Sequence, residues 1–107
     1  DYALVAAAVA RAWKKFPGGT YIWWYPVIDR SRVNAMEVAM RAAGIRKTYR
    51  VELCMVPDTP ERGMTGSGLF ILNPPFTLPG AAAAALPWLA ETLGAEGPVA
   101  AGWLLPE

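Results

Sequence analysis

The sequence predicts an α/β fold in which one inner parallel strand and an antiparallel edge hairpin are flanked by helices. Three observations predict it. A strand that is apolar on both faces is followed by a helical segment and then by another strand, a succession that implies a right-handed parallel crossover. The second strand leads through a turn-rich loop to a third, and strands joined in this way usually pair antiparallel. Segments of helical periodicity stand before, between and after the strands.

Residues 2 to 16, YALVAAAVARAWKKF, place Val5, Val9, Ala12 and Phe16 on one stripe. Lys14 and Lys15 complement the helix dipole at its end, and Pro17-Gly18-Gly19 stops the helix. TYIWWYPV is β-branched and aromatic on both faces and suits an interior strand, ended by Pro26. Asp29 or Ser31 can cap the next segment, where Val33, Met36, Met40 and Ala43 recur at helical spacing before a stop at Gly44. From Thr48 to Val56 the pattern alternates, with Tyr49, Val51, Leu53 and Met55 on one face and Arg50, Glu52 and Cys54 on the other. The loop PDTPERGMTGSG then opens the strand GLFIL. Residues 80 to 93 read as a helix kinked or restarted at Pro87, and VAAGWLL reads as a last strand.

At 107 residues the chain is one domain, or part of one, smaller than most complete cofactor-dependent α/β enzymes. A hydrophobic content of 54% excludes general disorder, and a net charge of +1 gives no global pull toward nucleic acid, so any RNA contact must come from local patches. The single cysteine, Cys54, favours a reducing, cytoplasmic setting. The absence of histidine removes most hydrolase triads and zinc sites, so no metal is expected. Asp1 precedes the Ala-rich start where a signal peptide would be basic, and the alanines at 81 to 85 are too few to cross a membrane; a soluble protein with no membrane partner is expected.

The tetrapeptide Asn73-Pro74-Pro75-Phe76 fits the polar-Pro-Pro-aromatic signature of methyltransferases that modify exocyclic amines, in which the polar side chain and a prolyl carbonyl accept from the target amine. Pro-Pro is equally an ordinary strand terminator. The Gly-x-x-Gly-x-Gly of Gly63 to Gly68 opens a strand, whereas a phosphate-binding loop follows a strand and opens a helix. It reads either as a flexible substrate loop, with Arg62 available to a phosphate, or as a long hairpin connection. Trp23, Trp24 and Tyr25 suit the core, with Tyr25 at the strand's carboxyl end open to a substrate role. Arg30, Arg32, Arg46 and Lys47 read as a solvated helix surface, and Asp58 and Glu61 as solvated turn formers.

Taken together, TYIWWYPV, ERGMTGSG leading into a strand that ends NPPF, LPWL and GWLLPE resemble in order and spacing the carboxyl-terminal part of the RlmJ family. These are bacterial enzymes, once described as DNA-utilisation or competence-associated proteins, that use S-adenosylmethionine to methylate an adenine amino group of large-subunit ribosomal RNA. The resemblance covers nearly all of this chain and less than half of the family's length. It implies that residues 1–107 form the carboxyl-terminal part of a Rossmann-like methyltransferase domain, inactive alone. The family's Asp-Pro-Pro-Tyr motif and most of its donor pocket lie upstream of Asp1. NPPF matches a second Pro-Pro element of the family, so no catalytic residue is expected in this chain. Tyr25, Pro26, Arg62, Gly63, Met64 and Ser67 are expected to border the target-adenine site, with ribosomal RNA as partner and S-adenosylmethionine held by the amino-terminal part. Two other readings are a small non-catalytic α/β interaction domain and a methyltransferase of reordered motifs that uses Asn73. From strand polarity, NPPF should fall at the sheet edge opposite Tyr25, with Phe76 packed.

Overall fold

The computed structural model describes residues 2–59 and 63–105. Within them, helix α1 (Tyr2–Lys15) leads to strand β1 (Tyr21–Val27), helix α2 (Arg30–Ala42) and strand β2 (Thr48–Cys54). Strand β3 (Gly66–Leu72), helix α3 (Leu78–Leu93) and strand β4 (Val99–Leu105) complete the order. The helix ends follow local chemistry. Asp29 caps α2 by accepting from the Ser31 amide and hydroxyl at 3.0 and 2.7 Å, and Gly44 terminates that helix at a left-handed φ of 69°. Pro87 lies inside α3, which runs as one helix instead of restarting there.

The four strands form one sheet in the order β1-β3-β2-β4, and every adjacent pair is antiparallel. This corrects the expected strand arrangement. β1 and β2 do run in the same direction across the α2 crossover, but β3 inserts between them and hydrogen-bonds to both. The antiparallel partner of β2 is therefore a central strand and no edge hairpin forms. β1, expected in the interior, lies at the margin. The structure is a small α/β domain of three helices and an antiparallel sheet, counted among the described residues.

Helices α1 and α2 cover one face. Trp23, Tyr25 and Val27 of β1 point there, as do Phe70 and Leu72 of β3, and they pack with Val33, Met36 and Met40 of α2. Phe70 lies against both aromatic neighbours, with ring centroids 5.5 Å from Trp23 and 5.0 Å from Tyr25. The other face carries Ile22 and Trp24 beside Leu69 and Ile71, then Tyr49, Val51 and Leu53, then Trp103. Helix α3 reaches only its β2 and β4 side, where the Tyr49 hydroxyl donates to the Pro79 carbonyl at 3.4 Å and the Tyr49 ring meets Trp103 edge-on. Ile22 and Trp24 stay 64% and 54% exposed.

Candidate functional site at the carboxyl edge of the sheet

Because β1 and β2 point the same way, their carboxyl ends share one edge, the edge at which open α/β sheets bind ligands. A cleft of about 400 Å³ opens there. Val27, Ile28, Asp29 and Arg30, at the β1–α2 junction, form one wall; Asp58, Thr59 and Thr65, from the β2–β3 connection, form the other. At its inner end the walls are joined by Thr65, whose amide and hydroxyl donate to the Val27 carbonyl at 2.8 and 3.2 Å.

Beneath the cleft lies a network of two guanidiniums and three carboxylates. Glu52, on the α2-covered face of β2, is buried, its side chain 1% exposed. It accepts from Arg30 Nη1 at 2.9 Å, from Arg50 Nη2 at 3.2 Å and from the Tyr25 hydroxyl at 3.0 Å. Arg50 Nε donates to the same hydroxyl at 3.1 Å, and its Nη1 pairs with Glu37 of α2. Arg30 continues outward, donating from Nε and Nη2 to the two Asp58 oxygens at 2.8 and 3.2 Å. The fork geometry of arginine suits such two-point pairing.

The titration behaviour follows from these contacts. The Arg30 hydrogen bond holds the Asp58 carboxyl below its ordinary value, and the same bond raises Arg30 against the opposing effect of its partial burial. Burial pushes the Tyr25 phenol and the Cys54 thiol upward, so both are neutral at physiological pH and Cys54 is not an activated nucleophile.

The residues expected to border a substrate site fall in different environments. Tyr25 is 0% exposed, its ring stacked on Phe70 and its hydroxyl engaged, so it presents no face to a base and can act on the cleft only through Glu52 and Arg50. Pro26 is half-buried on the opposite face of β1. Gly63 and Met64 are exposed beside Thr65, and Ser67 is half-buried within β3. Arg62 lies outside the described residues. Two glycines of the motif serve the fold. A Cβ on Gly68 would collide with the Tyr25 ring and hydroxyl, and one on Gly66 with the Cys54 backbone.

Arg30 and Asp58, read from sequence as solvated, instead pair with each other and line the cleft. The only sequence signal was position: Arg30 follows the helix cap directly beyond a strand's carboxyl end. Glu52 was recognised as part of a polar face, but alternation alone does not say which face a helix will cover.

NPPF lies at the far edge. Leu72 pairs with Tyr21 and Gly66 with the cleft-lining Val27, which puts Asn73 about seven residues, roughly 23 Å, from the cleft edge. Its side chain donates to the Gly18 and Gly19 carbonyls at 3.1 and 3.4 Å, and its carbonyl accepts from Thr20 at 2.8 Å. With φ at 55° it turns the chain out of β3. Phe76, expected to pack, is 98% exposed, because the prolines carry it past the end of the sheet.

The turns that leave β1 and β3 lack the glycine-rich form that cradles the phosphate or ribose of a nucleotide. The turn after β1 contains no glycine and is occupied by an Asp29 cap, and the turn after β3 contains two prolines that have no amide hydrogen to donate. Among the described residues no group of three or more acidic or thiol side chains is placed to hold a metal, and no helix is long and apolar enough to cross a membrane.

What fold and site define is an α/β unit with a polar-walled cleft at the ends of two codirectional strands. Its relatives supply the family. The family model described as "Ribosomal RNA large subunit methyltransferase D, RlmJ" matches residues 1–105. The chain is 41% identical to the ribosomal RNA large subunit methyltransferase J of Haemophilus influenzae and 38% identical to that of Escherichia coli. Both matches cover 100% of this chain and 39% of the relative. The crystal structure of protein LPL1258 from Legionella pneumophila superposes with a TM-score of 0.79 at 33% identity, covering 94% of this chain and 38% of that one. The chain belongs to the RlmJ family and spans about two fifths of the length of the relatives it matches.

Proposed function

We propose that this chain is the carboxyl-terminal portion of a methyltransferase that transfers a methyl group from S-adenosylmethionine to an adenine exocyclic amine of large-subunit ribosomal RNA. Membership of the RlmJ family across nearly every residue carries the reading. Residues 1–107 form part of one domain, which acts in the cytoplasm. The remaining length of the protein supplies the donor pocket and the groups that accept from the target amine. It meets this chain along the margin of β1 and over the uncovered face bearing Ile22 and Trp24, where unpaired strand backbone and bare apolar surface call for a cover.

In this arrangement the chain provides the target side of the site. Gly63 and Met64 stand at the rim of the cleft, with Pro26 and Ser67 behind them, and Tyr25 supports the wall from below. Arg62 contacts an RNA phosphate. The Asn73 alternative has little to recommend it, since that side chain is engaged at the opposite edge.

The test uses the full-length protein, with unmodified large-subunit ribosomal RNA and S-adenosylmethionine labelled in the methyl group. Label recovered in N6-methyladenine is expected; a folded full-length protein that transfers none overturns the reading. The 107-residue chain alone should show no saturable heat on titration with S-adenosylmethionine, and micromolar affinity there would relocate the donor site into it. Arg62→Ala should lower the slope of log affinity for RNA against log salt by roughly one counterion. An unchanged slope in a folded variant would assign Arg62 to the loop alone.

A further inference from the structure

We propose that Arg30 and Asp58, braced from below by the buried Glu52, act as a positioning pair that fixes the width of the carboxyl-edge cleft. The two cleft walls belong to different elements. One continues β1 into α2, the other leaves β2 toward β3. At the inner end Thr65 ties them together through the Val27 carbonyl. At the outer end the tie is Arg30, which stands on the first wall and grips Asp58 on the second through two hydrogen bonds.

A partly exposed arginine on a mobile stem would make a poor spacer by itself, because water and rotamer freedom compete for it. Glu52 removes that freedom. Its carboxylate is buried and held by Arg50 and Tyr25, and Arg50 is in turn fixed to α2 through Glu37. Arg30 is thus clamped between an immobile carboxylate below and Asp58 above. All three of its nitrogens are engaged by carboxylates or by the Cys54 sulfur. Its contribution is distance. Gly68 belongs to the same device: only without a Cβ opposite Tyr25 can that hydroxyl sit where it reaches Glu52 and Arg50.

The proposal rests on the methyltransferase reading for its catalytic consequence, but its structural content can be tested apart from activity. In the full-length protein, Asp58→Ala cuts the outer tie and leaves the buried network intact, so the variant should fold even if Glu52→Gln does not. Amide hydrogen exchange at Thr65, whose carbonyl also accepts from the Met55 and Val56 amides, should accelerate by about tenfold, because its bond to Val27 is then the tie left between the two walls. Methyl transfer to a fragment of large-subunit ribosomal RNA should lose about tenfold in kcat/KM, carried mainly by KM for RNA, while KM for S-adenosylmethionine stays within about twofold. Asp58→Glu, which restores the carboxylate, should recover both readouts. Unchanged Thr65 exchange in Asp58→Ala overturns the clamp. Faster exchange with unchanged RNA kinetics, or parallel loss of RNA and donor kinetics with no rescue by glutamate, overturns its role in positioning. If the wild-type protein methylates nothing, the exchange result still decides whether the clamp exists.

Discussion

The two faces of the sheet differ in how they reach their low-energy state. The α2-covered face holds charged groups and is complete: Glu52, Arg50, Arg30 and Tyr25 satisfy one another, and among the described residues no buried side-chain polar atom lacks a partner. The opposite face is almost entirely apolar and is incomplete. Helix α3 covers its β2 and β4 side, where Tyr49 is buried, and although the helix is rich in alanine and leucine, none of its own residues is buried. Ile22 and Trp24 lie open beyond it. Polarity therefore does not tell inside from outside in this chain. A buried charge is tolerable where every partner comes from the chain itself, while an apolar surface stays exposed until something covers it.

The largest effect that would break this contrast is expected at Glu52. Glu52→Ala leaves two guanidiniums and a phenol without their shared acceptor and should cost about 3–5 kcal/mol in urea unfolding of the full-length protein. A loss below about 1 kcal/mol would mean that the network tolerates water. Next comes Trp24. In the full-length protein, where the proposed cover buries it, Trp24→Ala should cost about 3 kcal/mol, against about 1 kcal/mol in the 107-residue chain. Equal losses in both would remove the distinction between a finished and an unfinished face. Gly68→Ala forces a methyl group into the Tyr25 ring and should cost about 1–3 kcal/mol, lowering the urea midpoint.

Acid provides a smaller effect. The Asp58 carboxyl titrates below its ordinary value of 3.8, so the stability it adds is present above that value and is lost as the pH falls through its lower folded-state value. Because the side chain is 37% exposed, solvent limits that contribution to below about 1 kcal/mol. Chemical shifts of Asp58 should follow that titration, with Thr65 exchange quickening over the same acidic range; a clamp that loosens near neutrality would contradict it. The smallest effect is expected at Phe76, where removal of the fully exposed ring should change stability by less than about 0.5 kcal/mol. A larger loss in the full-length protein would extend the covered surface to that edge.

The elements themselves were written locally. Periodicity, the Asp29 cap, Gly44 and the double apolarity of β1 were enough to place the helices and strands to within a few residues, because capping and turn chemistry act between neighbours in the chain. Strand direction was also accessible, since a crossover and a return strand restrict the choices, and this put NPPF at the edge away from the cleft. Family membership was legible in the RGMTGSG loop joined to NPPF. Three features were decided only by tertiary structure: the insertion of β3 between β1 and β2, the covering of the polar face of β2, and the pairing of Arg30 with Asp58. Each depends on which partner a strand or side chain meets after long-range association. The alternation of β2 is the same whichever face a helix covers, and two residues 28 positions apart carry no local sign that they will share a hydrogen bond.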